Sequence, residues 1–587
     1  PPPSTLHLKN TDLIDLDIPV ILSSTLTPLT STSLTRELLK NAAASSDAKF
    51  IESELWGLLW IDEPEDAILR YSQINEIRAS NSIYSHGSEG GRFDIGTIDE
   101  YVDATVWGAA FADDATDGKT GGIEMEPKLF IACVSNLLRY LVTNSNTTHT
   151  TTTHSPSLTA LRTSYLSPTD EVTLEELHQQ IDGRVSVEKD DTTGEIKAVI
   201  NTDYYPDLAC LYSKYNTLTK SLLTLSSTYT PPSILSPSHT TTPTSPPQLS
   251  PYSNTYVLSL PPVDSRRIGG KIVGRSRSGG TVYVEPREVG EIGKKRVKVE
   301  REIMEREDEI VSGLMRGIRE RGKTIKGGIE LVRELDLLRC LSMLPGHVPQ
   351  VKADEGKIVV EGYVHPLLTD MEGRKGFELR LNDDNGKGTV NKEKGLVITG
   401  SNGGGKSTLL KSFGIMALSP RLGLPVNCID DEGEGVVIGW WDVGCVVKDY
   451  SKVGEGSNFE FKVRRYGEIM EEIKGGDTTS TGSNSPRKLI IIDELGEGTD
   501  YAAGYATGRA LLESILNSTS TSTSTSTSRT SFVVSTHNEG LKLFAFANPE
   551  VGVAGVKRKD KGKVNYGVYG GSDVLDTISQ NVGDGEG

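Results

Sequence analysis

Three short segments carry residue types that together could bind and cleave a nucleoside triphosphate. The first is Gly400-Ser401-Asn402-Gly403-Gly404-Gly405-Lys406-Ser407, a GxxxxGK[ST] pattern between the apolar run Leu396 to Thr399 and the helix-like Thr408 to Ala417. Glycines let successive backbone N–H groups turn toward phosphate oxygens, and a helix N-terminus favours the anion. Gly400 through Thr408 are therefore expected to hold ATP, with Lys406 on the β- and γ-phosphates and Ser407 on Mg2+. The second segment, Leu489-Ile490-Ile491-Ile492-Asp493-Glu494, is an apolar strand ending in two adjacent carboxylates, and Asp493 lies 87 residues after Lys406. Asp493 suits the metal shell, and Glu494 suits a base that orients or deprotonates the attacking water. The third, Phe532 to Ser535 followed by Thr536-His537, places a histidine where it could donate a hydrogen bond to the γ-phosphate.

These residues need a sheet to bring them together. From Lys394 onward, β-rich runs (Gly395 to Thr399, Leu489 to Ile492, Phe532 to Val534) alternate with helical segments, which predicts an α/β P-loop ATPase domain with a largely parallel sheet. Before it, Phe50 to Leu69 and Lys128 to Val142 carry apolar residues at helical spacing, so the first half reads as a mainly α-helical core or lever region. From Glu288 to Ile318 a highly charged helix carries one apolar stripe, Ile303, Ile310, Leu314 and Ile318, and so should pack against a single partner helix. The expected domains are a helical core region at 1–169 and a helical clamp with a small β element at 170–320. A helical return to the core at 321–370 and the ATPase domain at 371–587 follow.

Composition sets the remaining bounds. The chain has 587 residues, 36% hydrophobic and 24% charged, enough for two to four domains. It has no apolar run of 18 residues, so no membrane association is expected. Cys133, Cys210, Cys340, Cys428 and Cys445 are scattered and lack metal-ligand spacing, which reads as reduced thiols of an intracellular protein. The chain begins Pro1-Pro2-Pro3 without an initiator Met and reads as a fragment or a processed form, so a nuclear or a plastid address stays open. Tracts rich in Ser, Thr, Pro and Asn at 144–158, 225–254, 474–487 and 517–530 cannot offset ordering entropy by apolar burial and read as insertions without regular structure.

Within this frame the residues resemble the MutS family of DNA-repair ATPases, and specifically its shorter, recombination-suppressing type-two branch. Asp493-Glu-Leu-Gly-Glu-Gly-Thr-Asp500 is similar to the branch signature DELGxGTD. Thr536-His537 with Leu541-Lys542 and Phe544-Ala545 is similar to TH…LKxFA, and His365-Pro366-Leu367-Leu368 to the HPLL element ahead of the ATPase domain. Ser276 to Pro286 resembles SxSGxTxFIEP, which precedes a long charged helix in that branch and is foreign to general ABC or SMC ATPases. The chain departs from the family at Ser401 and Gly403 in the loop and at Tyr501 and Ala503 after the signature. The family's trans-acting serine loop corresponds at best to Ser457-Asn458-Phe459-Glu460. The resemblance implies a homodimer with ATP sites shared between subunits, and no counterpart of the branch's Smr nuclease domain is found in the sequence.

The net charge of −18 argues against indiscriminate nucleic-acid binding. Locally the balance inverts: from Arg266 to Lys298 ten basic residues face three acidic ones, a surplus of +7. Arg275, Arg277, Lys294, Lys295, Arg296 and Lys298 are the expected phosphate contacts. The resemblance then implies an ATP-driven clamp on branched or mismatched DNA. The alternative is a clamp on a ribosome or another nucleic acid, switched by ATP binding with little turnover.

Overall fold

The computed structural model describes residues 10–26, 58–79, 126–150, 156–189, 196–229, 249–252, 255–266, 268–277, 279–353, 355–367, 377–381, 394–400, 405–428, 436–447, 458–476, 486–517 and 530–556. The chain divides into two compact units. One comprises Pro1–Glu100, Ser145–Leu166 and Gly328–Gly587, and the other Tyr101–Asn144 and Ser167–Gly327.

The first unit is organised by a five-stranded sheet in the order Trp441–Val446, Arg487–Ile492, Thr530–Ser535, Gly395–Gly400, Val551–Val556. Every neighbouring pair is parallel. The strands are apolar on both faces because both faces are covered, which is why they read as continuous runs in the sequence. Val397, Ile490, Ile492, Phe532 and Val534 pack with Ile469, Leu512, Ile515 and Leu541, which come from the helices Asn458–Gly476, Tyr501–Asn517 and Glu539–Ala547. Helix Lys406–Leu422 is buried along nearly its whole length. It comes so close to its neighbours that a Cβ at Gly414 would meet the Leu16 side chain at 2.4 Å and that of Ile491 at 2.9 Å.

The first described residues belong to this unit. Short helices Asn10–Asp15 and Ile18–Leu26 bring two buried carboxylates to the edge strand of the sheet. Asp12 Oδ1 accepts the Cys445 N–H at 2.8 Å and Arg465 Nη2 at 2.7 Å, and Asp15 Oδ2 accepts the Val447 N–H at 3.0 Å. Backbone donors left open at the strand edge are thus satisfied by side chains from the far end of the chain. A second sheet, in the order Gln350–Lys352, Val437–Gly439, Ile358–Tyr363, Phe377–Leu381, precedes and interleaves with the parallel one. Next to it the buried Arg421 guanidinium lies between the rings of Trp60 and Trp440, at 4.8 and 4.6 Å, and pairs with Asp442 at 3.0 Å.

The second unit combines helices with small antiparallel sheets. Helix Pro168–Ile181 opens on a capping box, Ser167 with Asp170, and leads to the hairpin Val185–Lys189 and Ile196–Ile200. A four-stranded antiparallel sheet follows in the order Ser250–Tyr252, Thr255–Leu260, Val282–Pro286, Gly270–Arg275. Helix Arg287–Glu320 starts directly from Pro286 and runs along helix Pro206–Thr228. Its predicted apolar stripe packs inward, with Ile303 and Ile310 buried against Leu208 and Tyr212 of that helix but also against Ile200 of the hairpin, and the helix touches Pro168–Ile181 as well, so it has more than the single partner expected.

Parts of the Ser/Thr-rich tracts extend regular elements. Residues 144–150 end helix Pro127–Thr150, residues 225–228 end helix Pro206–Thr228, and residues 474–476 end helix Asn458–Gly476. Residues 230–248, 477–485 and 518–529 lie outside the described residues, as do 51–57 from the predicted Phe50 to Leu69 helix. Among the described residues no helix is long and apolar enough to cross a membrane.

Candidate functional site

The sheet order sets the site. The strand Thr530–Ser535 that leads to His537 lies between the strand that enters the glycine-rich loop and the strand Arg487–Ile492 that leads to Asp493. The three motifs, far apart in sequence, therefore emerge side by side at the C-terminal edge of a parallel sheet, where open α/β folds bind ligands. Thr536 N–H reaches the Ile398 carbonyl at 3.3 Å, and Leu495 N–H reaches the Ser535 carbonyl at 2.8 Å, so the loops are tied to one another beyond the strands.

In the glycine-rich loop, Gly400 has φ 150° and Gly405 has φ 94°, values closed to residues with a Cβ. Gly405 caps helix Lys406–Leu422, which begins at the lysine. Ser401, Asn402, Gly403 and Gly404 lie outside the described residues. Lys406 is buried, donates to the Gly400 carbonyl at 2.8 Å, and stands 2.6 Å from His537 Nε2. Burial lowers the Lys406 pKa against the opposing pull of Asp493, Glu497 and Glu494. Burial, then the Lys406 charge, lowers that of His537. An ammonium donating to Nε2 requires a neutral imidazole with its proton on Nδ1, and the direction of the His537 shift favours that form. Ser407 is exposed at the first helical turn and Thr408 is half-buried beside it.

At the second motif, Asp493 is buried, and its Oδ1 accepts a hydrogen bond from the Ser535 hydroxyl. The same hydroxyl accepts the Glu494 N–H at 2.8 Å. Glu494 adopts φ 56°, a left-handed conformation uncommon for a residue with a side chain, and its carboxylate is half-exposed. Strain of this kind at a strand end turns the side chain out of the sheet toward solvent and the loop region. Gly496 and Gly504 are needed for close approach: a Cβ on Gly504 would lie 2.0 Å from the Gly496 carbonyl oxygen. Downstream, the Asn538 side chain caps helix Glu539–Ala547 by accepting the Leu541 N–H.

Three residues at this site escape motif reading. Ser535 binds both members of the carboxylate pair, and only its place before Thr536-His537 hints at that. Lys462, buried on helix Asn458–Gly476, donates to the Asp493 carbonyl at 3.3 Å and lies 3.9 Å from Glu494 Oε2. Among the described residues Glu497 Oε1 is buried and has no hydrogen-bond partner, and Glu497 acts electrostatically on both Lys406 and His537. Ser457 of the candidate serine loop lies outside the described residues, while Asn458 begins the Lys462 helix.

The candidate phosphate contacts sit in the other unit. Arg275 ends the strand Gly270–Arg275 and Arg277 follows in the turn toward Thr281; both are exposed. Lys294, Lys295 and Lys298 are exposed on helix Arg287–Glu320, with Lys294 and Lys298 one turn apart and Lys298 3.8 Å from Glu302. Arg296 is placed differently. It is half-buried and falls at seven-residue steps from Val289 and Ile303, on the stripe that packs inward.

With this geometry in view, residues 396–550 match the family model for MutS domain V. The chain thus carries a segment similar to MutS domain V. It is similar to a protein named endonuclease MutS2 in Streptococcus thermophilus, 28% identical over 258 residues that cover 43% of this chain and 29% of that protein. It is also similar to those of Streptococcus pneumoniae (27% over 268 residues, 44% of this chain and 29% of the relative) and Latilactobacillus sakei (24% over 305 residues, 51% and 34%). The chain spans about a third of the length of the curated relatives it matches. The MutS domain V match encloses Lys406, Asp493, Glu494 and His537.

Proposed function

We propose that the chain is an ATP-hydrolysing, DNA-binding MutS2-type protein that switches its grip on branched or otherwise non-standard DNA in repair or recombination control. The observation that carries this reading is the adjacency of Lys406, the Asp493-Glu494 pair and His537 at one edge of the parallel sheet, within the MutS domain V match.

In this reading Lys406 leaves His537 for the β- and γ-phosphates of ATP, with Gly400 to Thr408 enclosing them. Glu494 holds the attacking water and takes one of its protons as the water oxygen bonds to the γ-phosphorus and the bond to the departing ADP oxygen breaks. His537, released from Lys406, moves its ring proton to Nε2 and donates from there to the γ-phosphate. The residues fit Mg2+: Ser407 has an exposed hydroxyl beside Lys406, and Asp493 keeps Oδ2 clear of hydrogen bonds from the described residues. Bound there, Mg2+ supplies charge neutralisation on the phosphates.

The exposed cations Arg275, Arg277, Lys294, Lys295 and Lys298 supply the DNA contact, and two subunits share the ATP sites as a homodimer. The test is the ATP hydrolysis rate of the full chain alone and with duplex DNA, branched DNA or ribosomes. Stimulation strongest with branched DNA supports the reading. Stimulation by ribosomes alone replaces it with a ribosome-directed clamp, and no hydrolysis under any condition removes the motor.

A further inference from the structure

Lys462 is a cation in a place where a cation is costly unless it has work to do. Its side chain is 7% exposed, on the first turns of helix Asn458–Gly476, whose Tyr466, Ile469 and Ile473 belong to the core that covers one face of the parallel sheet. Burying an ammonium without compensation costs several kcal/mol, so such groups are found paired. Among the described residues its partners are the carbonyl of Asp493, at 3.3 Å, and the Oε2 of Glu494, at 3.9 Å. Both belong to the dipeptide assigned to metal binding and water activation. Neither is a structural carboxylate elsewhere in the core.

It is the Glu494 side chain that such a partner can fix. At φ 56° the residue departs from the strand, and its N–H is held by the Ser535 hydroxyl at 2.8 Å. That contact fixes the main chain but leaves a half-exposed carboxylate able to turn about its own torsions. A buried lysine has few rotamers, because the core around it restricts the stem. Its ammonium is therefore a fixed point charge to which the mobile carboxylate is drawn.

We infer that Lys462 is a positioning residue for ATP hydrolysis: its buried ammonium, anchored on the Asp493 carbonyl, holds the Glu494 carboxylate in the orientation that receives the attacking water. The inference rests on the ATPase reading above and adds a residue outside its motifs. It also gives the helix Asn458–Gly476 a role in catalysis as well as packing, because movement of that helix carries Lys462 with it.

The experiment uses the full chain and three substitutions, Lys462→Met, Lys462→Arg and Glu494→Gln, with single-turnover hydrolysis and ATP binding measured separately. Lys462→Met is expected to slow hydrolysis by roughly 10- to 100-fold, the scale of one misoriented catalytic group, with ATP affinity changed by less than about threefold. Lys462→Arg should recover most of the rate. In a Glu494→Gln background, Lys462→Met should add little, because the group it positions no longer acts as a base. Three results would overturn the inference. These are wild-type turnover in folded Lys462→Met, a loss of ATP affinity that matches the loss of rate, or the same fold-loss with and without Glu494→Gln. Should Lys462→Met not fold, Lys462→Arg decides through the same rate and affinity measurements: a rate near wild type with unchanged affinity supports positioning by the cation, and wholly lost turnover opposes it. Absence of hydrolysis in the wild-type chain is a distinct outcome, which removes the ATPase reading itself along with the role of Lys462.

Discussion

Lys406 Nζ and His537 Nε2 stand 2.6 Å apart, joined across adjacent parallel strands although 131 residues separate them in the chain. Two cations cannot share that distance, and burial biases the imidazole toward neutrality. The lysine is thus held by an exchangeable neutral acceptor on one side and the Gly400 carbonyl on the other. This prepares it to be taken over by a stronger, anionic acceptor. Lys406→Ala is expected to weaken ATP binding by roughly 100-fold, since a hydrogen bond to a charged group contributes about 3 kcal/mol. Titration with a fluorescent ATP analogue checks this; unchanged affinity would take the P-loop assignment away.

Asp12 ties the beginning of the chain to the edge of the ATPase sheet. It is fully buried and bonded to both Cys445 N–H and Arg465. Removing one partner of a buried ion pair costs about 3 kcal/mol, somewhat less here because Arg465 also pairs with Glu468 at 2.9 Å. Asp12→Ala should therefore lower the thermal midpoint of the unit by roughly 5 to 10 °C. Calorimetry showing no shift would mean that the segment 10–26 does not bear on the stability of the sheet.

His365 gives the same unit a pH dependence. Burial, helped by the Lys411 charge and opposed by Asp17, pushes its pKa down from 6.5 to about 4. The unfolded chain takes up this proton first as pH falls, so the contribution to stability is complete above pH 6.5 and is lost progressively toward pH 4. Between pH 7 and pH 5 the loss is about 2 kcal/mol. His365→Gln should make urea midpoints at these two pH values nearly equal compared with the wild type, and an unaltered pH difference would count against the buried neutral imidazole.

For the other unit, the structure sharpens the choice of basic residues. Lys294, Lys295 and Lys298 face solvent, whereas Arg296 lies on the inward stripe with Val289 and Ile303. Neutralising the three lysines should weaken DNA binding and reduce the slope of log affinity against log salt by roughly 0.9 for each phosphate that a lysine no longer neutralises. Basal ATP hydrolysis should stay near wild type. An unchanged slope would make these lysines an ordinary solvated helix face.

How much of this was legible in the sequence follows from how local each feature is. The strands at Gly395, Leu489 and Phe532 and the helix after Lys406 were readable because a doubly covered parallel strand is a continuous apolar run and a glycine-rich loop marks its own start. The stripe Ile303, Ile310, Leu314 and Ile318 was readable from helical period alone. Lys462 was not: one lysine on an amphipathic helix looks like any surface charge until the helix is laid on the sheet next to Asp493. Asp12 was invisible for the same reason, since its acceptor role depends on Cys445, 433 residues away. The identity of the loop residues was legible even at Ser401 to Gly404, which lie outside the described residues, because the chemistry there is carried by residue type and spacing.

The central claim is that Glu494, turned out of the strand beside Asp493, activates the water that cleaves ATP. Glu494→Gln keeps the backbone N–H that binds Ser535 and the shape of the side chain, and loses only the basicity. Single-turnover hydrolysis of bound ATP by the wild-type and Glu494→Gln chains tests it most directly. The account predicts equal ATP binding and a rate lower by roughly 100- to 10,000-fold in the variant. Equal rates in the two chains would contradict it.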